Sequence, residues 1–168
     1  MRLFIAINFD DSIRNALAEM QESMRRQGIR GNYTRMENLH LTLAFIGEYG
    51  DPDAVNEVLA SIPLEPFHLT LQGYGSFRNL YWAGLEDSDK LSAYVKRLRR
   101  ALAEHGIPFD RKYSPHITLV RQASVEPPRL RVPSASMEVC RISLMRSERG
   151  KNGMIYTEIG YAESKKNT

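Results

Sequence analysis

Apolar positions in this chain follow two rhythms that occur twice in the same order. Leu3-Phe4-Ile5-Ala6-Ile7 is an unbroken β-type run, and Asp10-Asp11-Ser12 then offers a helix start. Ile13, Leu17, Met20 and Met24 fall on one stripe at helical spacing. Gly28 stands as the stop, Arg25 and Arg26 suit the helix's negative end, and Ile29 restarts the chain. Further on, Leu80 to Leu85 reads as a strand, Asp87-Ser88-Asp89 as a cap, and Leu91, Val95, Leu98 and Leu102 as a second helical stripe. His105 is placed to interact with that helix end, Gly106 stops it, and Ile107 restarts the chain. Asp11 and Asp87 are 76 positions apart, as are Ser12 and Ser88, while Gly28 and Gly106 are 78 apart. Self-similarity at a fixed period is an architectural signal; it predicts one domain over residues 1–168 built by internal duplication, with halves at about 1–77 and 78–168.

The remaining segments fit around that frame. Asp51-Pro52 predicts a short capped helix running through Ile62, with the proline in its first turn. Phe67 to Tyr74 alternates like a strand, and Pro127-Pro128 and Pro133 mark a loop that carries Arg129 and Arg131. Met137 to Ser147 and Met154 to Tyr161 read as strands, and Gly150-Lys151-Asn152-Gly153 holds an Asn-Gly pair suited to a hairpin turn. The expected fold class is α+β: two pseudo-symmetric halves of antiparallel sheet, helices packed outside, and an active-site cleft between the halves.

Composition narrows the picture by exclusion. At 168 residues the chain suffices for one domain with a real core and is too short for two ordinary ones. Hydrophobic residues at 42% and charged residues at 26% argue against disorder. A net charge of +3 permits a polyanionic partner without requiring one. Cys140 is the only cysteine, which excludes an internal disulfide and a thiolate zinc cluster; between Val139 and Ile142 it is expected to be a buried small hydrophobe. The first apolar run is stopped by Asn8, Asp10 and Asp11 and lacks a small-residue cleavage site, and no apolar stretch approaches the roughly 20 residues a bilayer requires. A soluble, cytoplasmic protein is expected.

The candidate chemistry lies in a repeated tetrapeptide. His40-Leu41-Thr42-Leu43 and His116-Ile117-Thr118-Leu119 are 76 positions apart. Residues i and i+2 of a strand share a face, so each segment presents an imidazole beside a hydroxyl and sends two apolar side chains into a core. Two such pairs facing each other supply the imidazoles that a metal-free acid–base enzyme needs. For either histidine alone the competing reading is a satisfied polar residue on a half-buried strand. A third copy, His68-Leu69-Thr70-Leu71, follows no glycine-terminated helix, and at an offset of 73 Arg141 stands where His68 does. His68 is therefore read as scaffold. Two histidines without Asp or Glu at ligand spacing make an incomplete metal set.

Asn38-Leu39-His40-Leu41-Thr42-Leu43-Ala44-Phe45-Ile46-Gly47-Glu48 and Ser114-Pro115-His116-Ile117-Thr118-Leu119-Val120-Arg121 resemble the paired motifs of the two-histidine phosphoesterases. More narrowly, they are similar to the bacterial and archaeal RNA 2′,3′-cyclic phosphodiesterases, also called 2′-5′ RNA ligases. Arg2-Leu3-Phe4-Ile5-Ala6-Ile7 and Gly73-Tyr74-Gly75-Ser76-Phe77 resemble the same family, so the likeness runs from residue 2 to at least Arg121. That family often has a tryptophan and a proline ahead of the first motif. Tyr33 and Met36 stand there in this chain, which points to a different loop leading into the site.

The resemblance implies metal-independent, cofactor-free hydrolysis of RNA 2′,3′-cyclic phosphate ends to 2′-phosphates, with reversible 2′-5′ ligation. It implies His116 as the proton acceptor acting on water and His40 as the proton donor to the 3′ oxygen. Thr42 and Thr118 are expected to donate to non-bridging phosphate oxygens, and Arg121 to curl over the phosphate beyond a strand ending near Leu119. Phe4 and Tyr33 are candidates for stacking on a terminal base. The implied partner is RNA with cyclic ends, tRNA halves or similar, met by a monomer with no obligate protein partner. Two alternatives stay open: hydrolysis of a small nucleotide-derived cyclic phosphate, and a non-catalytic RNA-end-binding module. Lys96-Arg97 and Arg99-Arg100 form a basic cluster on the second helix, read as a solvated face or as an RNA-approach surface.

Overall fold

The computed structural model describes residues 1–124 and 129–165. Strand β1 (Arg2–Asn8) leads into helix α1 (Asp11–Arg26), whose first turn is capped by the Asp10 carboxylate accepting from the Ile13 N–H at 3.1 Å. A two-residue strand β2 (Asn32–Tyr33), a 3-10 turn at Met36–Asn38 and strand β3 (His40–Glu48) follow. Next come α2 (Pro52–Ser61), β4 (Phe67–Phe77), β5 (Leu80–Leu85) and α3 (Asp89–Glu104). The chain finishes with β6 (Ile117–Arg121), β7 (Ser136–Val139), β8 (Arg141–Gly150) and β9 (Gly153–Glu163). All pairings are antiparallel, and they make two sheets ordered β3-β1-β8-β9 and β2-β6-β5-β4-β7. This is the α+β class the alternating runs imply. The predicted loop is irregular at Arg129 to Pro133, whereas its Pro127-Pro128 pair lies outside the described residues.

One expectation needs correction. The run from Met137 to Ser147 is not one strand: it breaks at Cys140, where the chain leaves the second sheet as β7 and enters the first as β8. Cys140 therefore belongs to neither sheet's inner face. It is half-buried, and its thiol donates to the Glu138 carboxylate at 3.2 Å, a contact that holds its pKa above the usual thiol value. The two sheets each draw on both halves of the chain. β4 from the first half pairs with β5 of the second sheet, and β8 from the second half pairs with β1 of the first. Each sheet thus takes two strands from the other half of the chain, β8 and β9 in the first and β2 and β4 in the second.

α1 and α3 match in length and in the way each is capped. α1 and α3 are both 16 residues long and start 78 positions apart, at Asp11 and Asp89. The α3 cap is the Ser88 hydroxyl, accepting from the Leu91 N–H at 3.2 Å, so Ser88 matches Asp10 and not Ser12. The offset of 78 covers cap, helix and stop, and the histidines at 76 show that the second helix-to-strand connection is two residues shorter. At the end of α3, His105 bonds the Ala101 carbonyl at 2.8 Å, as its helix-end reading requires.

β1 sits between two strands and is buried on both faces. Leu3, Ile5 and Ile7 join one continuous core with the α1 and α3 stripes, while Phe4 and Ala6 form a smaller cluster with Met145 on the opposite face. That second cluster lies under the functional site. The continuous core holds one polar side chain from α1. Gln21 is only 3% exposed and donates from Nε2 to the carbonyls of Thr34 at 2.8 Å and Leu119 at 3.0 Å, tying the chain beyond β2 to β6. Gln21→Leu keeps the volume and strips the Thr34 carbonyl of its amide donor, while the Leu119 carbonyl keeps the Thr34 N–H at 3.0 Å, so it lowers unfolding stability by about 1–2 kcal/mol in urea titrations. An unchanged midpoint would show that the amide does not hold the two strands together. Among the described residues no helix is long and apolar enough to cross a membrane.

Candidate active site

His40 opens β3 and His116 stands immediately before β6, each followed by strand residues that alternate between core and cleft. Leu41, Leu43, Ile117 and Leu119 are fully buried, which fixes the register and turns His40, Thr42, His116 and Thr118 to the other face. These four side chains and Arg121 line one cleft of about 320 Å³ between the sheets, together with Thr34, Asn38, Phe45, Asp110, Ser114 and Tyr156.

The two imidazoles are held in the same way. His40 Nδ1 bonds the Asn38 carbonyl at 2.7 Å, and His116 Nδ1 bonds the Ser114 carbonyl at 2.7 Å. A carbonyl only accepts, so each Nδ1 carries its proton and each Nε2 is left for chemistry. His40 Nε2 meets the Thr42 hydroxyl at 2.9 Å. Burial pushes the His40 pKa below the ordinary imidazole value of 6.5; its backbone bond to Asn38 opposes that, and the nearby charges of Arg121 and His116 add to it.

Neighbouring elements hold these groups in place. The Asn38 amide donates to the Met154 carbonyl at 2.9 Å, securing from the β8–β9 hairpin the residue that orients His40. The Thr34 hydroxyl donates to the Thr118 carbonyl at 2.9 Å. On the other wall the Asp110 N–H donates to the Phe45 carbonyl at 2.8 Å, and Arg99 donates to the Asp110 carbonyl at 2.6 Å and the Leu43 carbonyl at 3.3 Å. The segment leading to His116 is therefore strapped across β3. Each imidazole also has two aromatic neighbours: Phe4 and Tyr156 at 5.0 and 5.3 Å from His40, and Phe77 and Trp82 at 5.5 and 6.4 Å from His116, measured between ring centroids.

Of the residues singled out in the sequence, His40, His116, Thr42, Thr118 and Arg121 converge on the cleft. Arg121 is the last residue of β6, which runs past Leu119, so it reaches the cleft from a strand end and not from a loop. Phe4 does not reach the surface. At 4% exposure it has no free face for a base and instead packs on the His40 ring. Tyr33 is turned away from the cleft, with its hydroxyl donating to the Ile29 carbonyl at 2.7 Å and the Arg25 guanidinium 4.2 Å over its ring. His68 is exposed on β4 and faces Glu138 at 4.0 Å, consistent with scaffold. In the basic cluster, Lys96, Arg97 and Arg100 are exposed, while Arg99 is half-buried and committed to the strap. Sequence reasoning missed Asn38, Thr34, Gln21 and Asp110. Only Gln21 left a signal, a lone amide on the apolar stripe between Leu17 and Met24.

Two imidazoles, two hydroxyls and a guanidinium on one cleft define a class of site: one suited to moving protons at a bound anionic phosphoryl group. The chain belongs to the 2′-5′ RNA ligase superfamily, whose model matches residues 9–151. It is 32% identical over 131 residues to the RNA 2′,3′-cyclic phosphodiesterase of Thermotoga maritima, covering 72% of this chain and 70% of that protein. The protein of the same name from Methanothermobacter thermautotrophicus is 29% identical over 182 residues, covering 95% and 96%. The fold superimposes on apo LigT of E. coli with a TM-score of 0.83 at 28% identity, over 98% of each chain.

Proposed function

We propose that this protein opens RNA 2′,3′-cyclic phosphate ends to 2′-phosphates through the His40–His116 pair, without metal or cofactor. The observation that carries the reading is the matched tethering of both Nδ1 atoms, which presents two Nε2 atoms to one cleft. His116 Nε2 takes a proton from water as its oxygen bonds to phosphorus. The bond from phosphorus to the 3′ oxygen breaks, and that oxygen takes a proton from His40 Nε2. Thr42, Thr118 and Arg121 hold the non-bridging oxygens. With a 5′-hydroxyl in place of water, the same transfers make a 2′-5′ bond. The relatives' shared name supports the substrate class, and the family resemblance supports the direction of proton flow. RNA fragments with cyclic ends, such as tRNA halves, are the substrates, met in the cytoplasm by a monomer. The two strand–helix–strand units derive from duplication of one ancestor.

Rates measured on an oligonucleotide with a cyclic end, in EDTA and across pH 5–8, test this reading. Turnover that survives EDTA and yields a 2′-phosphate is expected, with a bell-shaped profile. His40 must be protonated to act, so activity falls as pH rises through its pKa. Because that pKa is depressed in the free protein, the inflection it gives to kcat/KM lies below 6.5. A bound phosphodiester adds negative charge beside His40, and the corresponding inflection in kcat lies higher. A flat profile would count against the pair. Turnover on mononucleotides alone would favour a small cyclic substrate, and tight binding without turnover would favour an RNA-end-binding module.

A further inference from the structure

The two imidazoles differ in what surrounds them. Beside His40 the aromatic neighbour Phe4 is buried, and the other, Tyr156, is half-buried and edge-on to the imidazole. Beside His116 the ring of Phe77 is 48% exposed and sits edge-on to the imidazole. Phe77 also lies 5.8 Å from Trp82, which in turn neighbours His116. Trp82 is seated with little freedom. It pairs across the sheet with Gly75, where a Cβ would come within 2.3 Å of the indole, so only a glycine lets the ring lie over β4. The β4–β5 tip that carries Phe77 is bonded to the end of β6, with the Ala123 N–H donating to the Asn79 carbonyl at 2.8 Å. Arg78 at that tip and Arg121 are both exposed, and neither is ion-paired to a carboxylate among the described residues. An open aromatic face held beside unpaired guanidinium groups fits a nucleobase joined to a phosphate backbone.

We infer that Phe77, backed by Trp82, is the subsite for the 5′-terminal nucleoside of an incoming RNA strand with a free 5′-hydroxyl. This rests on the proton flow proposed above. The attacking oxygen gives its proton to His116, so the nucleophile enters on that side, while the 3′ oxygen and its nucleoside leave on the side of His40. A strand whose first base stacks on Phe77 brings its 5′-hydroxyl to His116. That oxygen bonds to phosphorus, its proton passes to His116, the bond to the 3′ oxygen breaks, and His40 protonates the departing oxygen. A 2′-5′ diester forms with no further reactant. Water needs no such platform, and a purely hydrolytic cleft gains nothing from an exposed phenyl ring at this point.

Trp82 is the sole tryptophan in the chain, so its fluorescence reports on this subsite directly. A trinucleotide with a 5′-hydroxyl and no cyclic phosphate is titrated into the folded protein. Saturable quenching is expected, weakened about 10-fold in Kd by Phe77→Ala and retained by Phe77→Tyr, the size of one base–aromatic stack. The ratio of joined to hydrolysed product from a cyclic-ended donor plus that acceptor should fall in Phe77→Ala and recover in Phe77→Tyr. Quenching only by the cyclic-ended donor, or titrations identical in the wild type and Phe77→Ala, would overturn the assignment. Failure of the wild type to hydrolyse cyclic ends would instead sink the proposed reaction, a separate result.

Discussion

Replacing either His40 or His116 with alanine lowers kcat on cyclic-ended RNA by about 10²–10⁴-fold, the usual contribution of a positioned acid or base. The two losses do not add. Once one proton transfer is gone the other no longer assists the same step, and the double variant falls little below the worse single one. Fold is preserved, because the apolar positions that set the register, Leu41, Leu43, Ile117 and Leu119, are untouched. His68→Ala, an exposed change on β4, stays within about twofold of the wild type, as expected of a surface substitution away from the site. Steady-state rates with far-UV spectra on the three variants decide the matter. A large loss in a folded His68→Ala protein would overturn the choice of pair.

Thr42→Val and Thr118→Val remove a hydroxyl and keep a β-branched side chain in a strand. Each is expected to reduce kcat by about 10²-fold, the effect of losing one donor where negative charge grows, while KM changes much less. The two variants separate on pH. Thr42 Oγ1 already bonds His40 Nε2 at 2.9 Å, so its loss also moves the His40 inflection, whereas Thr118 has no such contact and leaves the profile in place. Equal pH profiles in both variants would show that the Thr42–His40 contact is not maintained with substrate. A parallel rise in KM would reassign the hydroxyls to ground-state binding.

The parts of this fold legible in the sequence are those set by local rules. Alternation and capping located β1, α1, β5 and α3, and the repeated strand–helix–strand order chose His40 and His116 over His68. Phe4 misled because an aromatic near a motif carries no sign of which sheet face it occupies. β1 has buried faces on both sides, and only the arrival of β8 makes this so. The carbonyls of Asn38 and Ser114 were invisible for a simpler reason. Every residue has a carbonyl, and only the bend of the chain ahead of each strand aims these two at a ring. The break at Cys140 was likewise unreadable, since β-type residues continue through it while the chain changes sheets.

That change of sheets bears on how the molecule is made. The strand beside His40 is completed on its far side by β8, which begins at Arg141, so the first histidine waits about a hundred residues for its wall. Pairings this distant in sequence close late and slowly. A chain stopped short of Arg141 therefore has no working cleft. By the same logic, cutting the chain near residue 77 leaves each piece one histidine of the pair, the first piece without β8 beside β1 and the second without β4 beside β5.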